Sequence, residues 1–245
     1  MLNEDYVIKF PVDKHGLDQD EEFIIVNTGK QSEKIRLHDY KRIYNVPGLY
    51  EEALYKRLKC ESPQVLCSLL QEAMDESEED CTQLRVLDFG AGNGVAGECM
   101  RKQVGCETLV GVDIIPEARK AALRDRPDLY DDYFVVDFNE LEEADERQLQ
   151  KYDFNMLVTI AALGYKHIGT EAFLKAFDFV DDNAWIVFNI KDSFLSEGDD
   201  SGFEKNLSSL MDSRLSVLKK NHYCHRLSIA NEPLYYYGIV GKKNE

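Results

Sequence analysis

Five apolar runs, separated by segments of helical periodicity, restrict this chain's fold more than any other feature of its sequence. The runs cover residues 85–89, 108–113, 133–137, 155–160 and 184–190. Between them, helical patterns follow Gly94, start at Pro116 and continue through Ala118, Ala121, Ala122 and Leu123, recur around 141–150, and run from Thr170 to Phe179. Strands alternating with helices predict βαβ units, hence a mostly parallel sheet wound on both faces. The rhythm breaks at the end. Residues 225–230 and 234–240, around Asn231-Glu232-Pro233, read as an antiparallel hairpin, which brings the expected sheet to seven strands.

Residues 1–82 form a different block. Residues 6–10, 23–26 and 34–37 read as short strands, and an aromatic-rich stretch covers 40–55, with Pro47-Gly48 as a breaker. Ser62-Pro63 marks a helix start, and Val65, Leu66, Leu69, Leu70 and Met74 follow at helical spacing. The expected division is therefore a strand-and-helix extension over 1–82 and the α/β domain over 83–245.

The first α/β strand runs into Gly90-Ala91-Gly92-Asn93-Gly94 and then a helix. Glycines let a backbone approach a ligand closely, and a helix N-terminus offers free N–H groups. Such a turn takes a pyrophosphate or the carboxylate of an amino-acid-like cofactor, and Gly92, Gly94 and Gly97 also match the dinucleotide fingerprint. Asp88, just before the turn, opposes a pyrophosphate and suits an ammonium group.

Composition narrows the partners. The 29 Lys and Arg against 46 Asp and Glu leave a formal net charge of −17, which argues against broad nucleic-acid binding. The acidic run from Asp75 to Asp80 reads as a solvated linker. None of the 6 cysteines forms a C-x-x-C pair, and no His cluster adjoins them, so no metal site is expected. Residues 1–5 are acidic and no apolar run is long enough to span a bilayer. The expectation is a cytoplasmic protein with neither a signal peptide nor a membrane association.

Residues 84–241 resemble the class I S-adenosylmethionine-dependent methyltransferases. That family's first motif is an acid, one residue and then G-x-G-x-G, as in Asp88 to Gly94. Its second is an acid ending strand two, matched by Asp113. Its third is an acid ending strand three, matched by Asp137. Its fourth is strand four, matched by residues 153–165. The resemblance implies a Rossmann-like fold and S-adenosylmethionine as cofactor. It places Gly90, Ala91, Gly92 and Gly94 along the cofactor, Asp113 on the ribose, Asp137 on the adenine amino group, Phe138 over the ring and the backbone at Ala161 on the cofactor's ammonium. Ile114, beside Asp113, is an apolar candidate for the adenine pocket.

The acceptor is expected to be a small molecule. The Asn/Asp-Pro-Pro-aromatic motif of many amino-group methyltransferases is absent from residues 159–167, and no cysteine lies on strand four. His167 is the candidate base, with Tyr165 lining or orienting the acceptor. In the first block, Tyr40, Tyr44 and Tyr50, interleaved with Lys41 and Arg42, form the candidate lid, because aromatic faces can enclose a sulfonium. Two other classes fit the sequence: a non-catalytic protein that binds the cofactor, and a nicotinamide-dependent oxidoreductase.

Overall fold

A computed structural model describes residues 6–11, 16–29, 31–77, 81, 83–164, 167–196, 199 and 201–244. The α/β part holds β4 (Arg85–Phe89), β5 (Thr108–Asp113), β6 (Asp132–Val135), β7 (Met156–Thr159), β8 (Trp185–Lys191), β9 (Leu215–Leu227) and β10 (Pro233–Lys243). These form one seven-stranded sheet in the order β6-β5-β4-β7-β8-β10-β9. The first five strands are parallel, and β10 runs antiparallel to both β8 and β9. The chain winds outward from β4 to β6, then returns to lay β7 on β4's other side. The order thus reverses between β4 and β7, where open α/β sheets bind ligands at the strands' carboxyl ends.

The central strands are continuous apolar runs because helices cover both faces. On one face, Phe173, Ala176 and Phe177 of α6 (Thr170–Phe179) pack on Leu157, Ile186 and Phe188, all fully buried. On the other, Leu66, Leu69, Leu70 and Ala73 of α2 (Ser62–Glu76) pack on Met156, Val158, Val187 and Val240. The helix at Ser62 therefore covers the central sheet, although the sequence reading assigned it to the first block. Helix α3 (Val95–Cys99) follows the Gly-rich turn, and α4 (Pro116–Asp125), α5 (Glu143–Leu149) and α7 (Phe203–Ser213) complete the layers.

Residue alternation along β4 decides the fate of Asp88. Leu87 and Phe89 belong to the first core and Val86 to the second, so Asp88 falls on the α2/α3 side. It is fully buried there, beneath the Gly-rich turn, and its Oδ2 accepts a 2.8 Å hydrogen bond from the Tyr130 hydroxyl. The carboxylate thus lies under the turn, outside the residues that line the cleft above it. Burial pushes its pKa up to about 7.

The N-terminal block forms its own antiparallel sheet, β1 (Val7–Lys9), β2 (Phe23–Asn27) and β3 (Ser32–Arg36), in that order. Ile24, Ile35 and Leu37 pack with Ile43 of α1 (Tyr40–Asn45), with Leu54 of a π-helical turn (Glu51–Arg57), and with Ile229 from the β9–β10 connection. A buried ion pair fixes this sheet to that connection. Arg226 Nη2 donates to Glu22 Oε2 at 2.6 Å, and Glu22 Oε1 accepts from the Ile229 N–H at 2.6 Å. Both side chains are 2% exposed or less. Among the described residues no helix is long and apolar enough to cross a membrane.

Two outcomes follow from this packing. Glu22→Ala leaves Arg226 charged and unpaired, and is expected to lower unfolding free energy by about 3 kcal/mol in chemical denaturation. Asp88 binds its proton more tightly folded than unfolded, so its contribution to stability falls as pH rises from the ordinary carboxylate range through about 7. Asp88→Asn is expected to flatten the loss of stability between about pH 4 and about pH 7, by an amount on the order of a few kcal/mol. Parallel stability–pH curves for the two proteins would refute that.

Candidate active site

The Gly-rich turn sits at the carboxyl end of β4, at the reversal point. Gly90 and Ala91 donate their N–H groups to the Val112 carbonyl (2.8 and 3.0 Å), which tucks the turn against β5. Gly90 and Gly92 have φ of +82° and +56°. A Cβ at Gly90 would lie 2.6 Å from Ala162 Cβ, and one at Gly92 would lie 2.5 Å from the Tyr44 hydroxyl. Tyr133 holds the turn from below, its hydroxyl donating to the Gly92 carbonyl at 2.7 Å.

Asp113 ends β5 beside this turn. Its two carboxylate oxygens accept from the N–H groups of Gly92 and Ile115, each at 2.9 Å. Burial raises its pKa, and these backbone donors pull it back. Asp137 caps the short 3-10 turn Phe138–Glu140 by accepting from the Asn139 N–H at 2.8 Å, while still lining the cleft. Phe138 faces the cleft from the core, its ring 4.8 Å from that of Phe89. Ile114 is 61% exposed at the cleft wall, an apolar surface without protein cover.

The roof comes from the N-terminal block. Tyr40 stacks on Tyr44 with ring centroids 5.8 Å apart, and Tyr44 meets Tyr50 at 5.1 Å. The roof is fastened to the floor. Arg124 Nη1 donates to the Tyr44 carbonyl (2.9 Å), and Glu51 Oε1 accepts from Arg126 Nη1 (2.8 Å) and Asn93 Nδ2 (3.2 Å). Lys41 lines the cleft, whereas Arg42 does not, its guanidinium being paired with Glu33 and Asp39. The cleft has a volume of about 610 Å³.

A second cavity of about 550 Å³ adjoins the first. His38, Tyr40, Tyr50, Ala161 and His167 line both. His38 meets His167 edge-on at 4.7 Å, and Tyr40 lies 5.6 Å from His167. Burial lowers the pKa of both imidazoles, to about 3 for His38, so each is neutral near physiological pH. Ala161 has φ of +57°, and its N–H donates to Asn189 Oδ1 at 2.6 Å. Tyr165 lies outside the described residues. Among the described residues no group of three or more His, Cys, Asp or Glu is placed to hold a metal.

The strand-end acids and the Gly-rich turn that the sequence singles out therefore meet at one cleft, with Asp88 as the exception. His38, Tyr55, Tyr130, Tyr133, Asn189 and His225 were not picked out by motif. His38 and Tyr55 at least stood in or beside the aromatic run that was. The others lie far along the chain from the groups they serve, and carry no local signature.

Comparison with known proteins agrees with this geometry. A family model described as a methyltransferase domain matches residues 58–230. No curated protein matches the chain. Among solved structures, the N-methyltransferase NodS from Bradyrhizobium japonicum WM9, in complex with S-adenosylhomocysteine, is similar with a TM-score of 0.58 at 12% identity, over 85% of this chain and 98% of that one. The plantazolicin methyltransferase BpumL with S-adenosylhomocysteine gives 0.55 at 12%, over 85% and 95%. A protein solved in complex with the Haloferax volcanii Trm112 methyltransferase activator gives 0.54 at 12%, over 84% and 98%. The chain belongs to the methyltransferase-domain family and is an S-adenosylmethionine-dependent enzyme of the class I, Rossmann-like type.

Proposed function

We propose that this enzyme methylates a small molecule held in the second cavity, with the transferred methyl group positioned where the two cavities meet. The observation that carries this reading is the shared wall of His38, Tyr40, Tyr50, Ala161 and His167. A donor in the first cavity and an acceptor in the second would approach each other only there.

The first cavity fits the cofactor on its own chemistry. Gly90, Ala91 and Gly92 line it with a turn that a side chain at Gly90 or Gly92 would push off Ala162 and Tyr44, Asp113 offers carboxylate oxygens toward ribose hydroxyls, and Asp137 stands within the wall for the adenine amino group. Ile114 and Phe138 supply apolar faces for the ring. Bound there, S-adenosylmethionine supplies an electrophilic methyl on a sulfonium. The chain's own part is to align the acceptor, exclude water and receive a proton where the acceptor must lose one. Tyr40 and Tyr50 line the junction and Tyr44 the first cavity beside it, an aromatic surround suited to a sulfonium. Neutral His167 is the group able to take a proton, with Tyr165 beside it in sequence. The chain's acidity, −17, favours such a compact acceptor over a nucleic-acid backbone.

Calorimetric titration is expected to give binding of S-adenosylhomocysteine and none of NAD. Asp113→Asn should weaken that binding about tenfold while leaving the fold intact by circular dichroism. Undiminished affinity would remove Asp113 from the ribose. Tyr44→Ala and Tyr50→Ala should lower S-adenosylhomocysteine production across an acceptor panel more than they lower cofactor affinity, and equal losses would count against the lid. With His167 as base, its lowered pKa shifts the acid limb of the rate profile below the ordinary histidine range near 6.5.

A further inference from the structure

Behind the second cavity runs a buried polar chain that the reading above does not use. It starts at the Ala161 N–H, which donates to Asn189 Oδ1. A backbone N–H can only donate, so this bond fixes the orientation of the Asn189 amide. Asn189 Nδ2 then gives its protons to Ser62 Oγ (3.1 Å) and the Tyr223 hydroxyl (2.9 Å). Ser62 Oγ also lies 2.7 Å from the Tyr223 hydroxyl and 2.6 Å from His225 Nδ1.

The protons fit these bonds in one arrangement. If Tyr223 donates to Ser62 and Ser62 donates to His225 Nδ1, every hydrogen has an acceptor. If His225 Nδ1 donates instead, Ser62 Oγ is filled by that bond and the one from Asn189, so whether Ser62 donates to Tyr223 or to the neighbouring Cys60 Sγ, 3.8 Å from Nδ1, the Tyr223 proton has no acceptor in the network. The neutral imidazole of His225 therefore carries its hydrogen on Nε2. The ring is 5% exposed, lies against Tyr236 at 4.2 Å between centroids, and lines the second cavity. Burial, with Arg226 and His38 nearby, keeps it uncharged near neutrality. With Nδ1 held by Ser62, the N–H at Nε2 is the group left for the cavity.

A charge accompanies this donor. Lys191 lines the same cavity and is the register partner of Tyr236 across β8 and β10. Among the described residues its ammonium makes no hydrogen bond or ion pair. The carboxylates nearby are largely committed. Glu22 neutralises Arg226, Asp199 accepts from Ser201 and the Glu204 N–H, Asp20 has a partner, and Asp18 stands on the exposed rim.

We propose that the second cavity selects a carboxylate-bearing, planar acceptor, with the His225 Nε2–H and the Lys191 ammonium as its anchors and Tyr40, Tyr50 and Phe194 as its walls. This rests on the reading of that cavity as the acceptor chamber. The test uses the full chain saturated with S-adenosylhomocysteine and carrying isotope-labelled histidine nitrogens. Benzoate, benzamide and benzylamine are titrated in turn by NMR. The expected result is a His225 signal of the Nε2–H tautomer that moves with benzoate, and benzoate affinity above that of both neutral and cationic analogues. Lys191→Met should reduce benzoate affinity about tenfold or more without changing S-adenosylhomocysteine affinity. A proton on Nδ1, an absent benzoate response, equal or tighter benzylamine binding, or an unchanged affinity in Lys191→Met overturns the proposal. Failure of S-adenosylhomocysteine to bind would strike the cofactor reading instead, so the two failures are distinguishable.

Discussion

The buried pairing of Arg226 with Glu22 is the interaction on which both cavities depend. Taking two charges out of water costs several kcal/mol for each ion, and attraction offsets this only where the remaining hydrogen-bonding capacity is filled. Here each ion has a second partner: Glu22 also receives the Ile229 N–H, and Arg226 also donates to the Leu227 carbonyl. The pair joins the start of β2 to the β9–β10 connection, 204 residues apart. The N-terminal sheet, and the aromatic roof that follows it, are thereby held over the carboxyl ends of the parallel strands.

That arrangement makes two units interdependent. The roof residues are local neighbours in sequence, and they stand over the cleft because the floor binds Tyr44 and Glu51 while the hairpin end of the large sheet holds the N-terminal sheet through Arg226 and Glu22. The same hairpin contributes His225 and Tyr236 to the second cavity. One strand pair thus anchors the roof and furnishes a wall, and the enzyme's two chambers share a boundary as a consequence of topology.

Sequence periodicity carried most of the α/β architecture. Pro116 and Thr170 open helices where expected, and the runs at 85–89 and 108–113 are strands to the residue. The apolar runs were legible because both sheet faces are covered. Strand β9 was not, since it begins at Leu215, ten residues ahead of the expected start at 225, and its Val217-to-His222 stretch is a largely exposed edge without alternation. Helix α7 gave no strong signal either. At the cleft, Asp113 and Asp137 were legible because one ends β5 and the other follows the end of β6 by two residues. The burial of Asp88 beneath the turn was not legible, because the motif's position says nothing about the face on which a side chain emerges; the register of Leu87 and Phe89 with the first core decides that. The Asn189–Ser62–His225 chain joins residues up to 163 apart, a relation without local pattern.

The fastening of the roof bears on how the protein meets dissolved salt. Tyr44 stands over Gly92, and its carbonyl, together with Glu51, is bound by Arg124, Arg126 and Asn93 of the floor. Arg126 is only 10% exposed and pairs with both Glu51 and Glu98. Ions in solution screen exposed charges far more than partly buried ones, so the tie between roof and floor outlasts the chain's surface pairs as ionic strength rises.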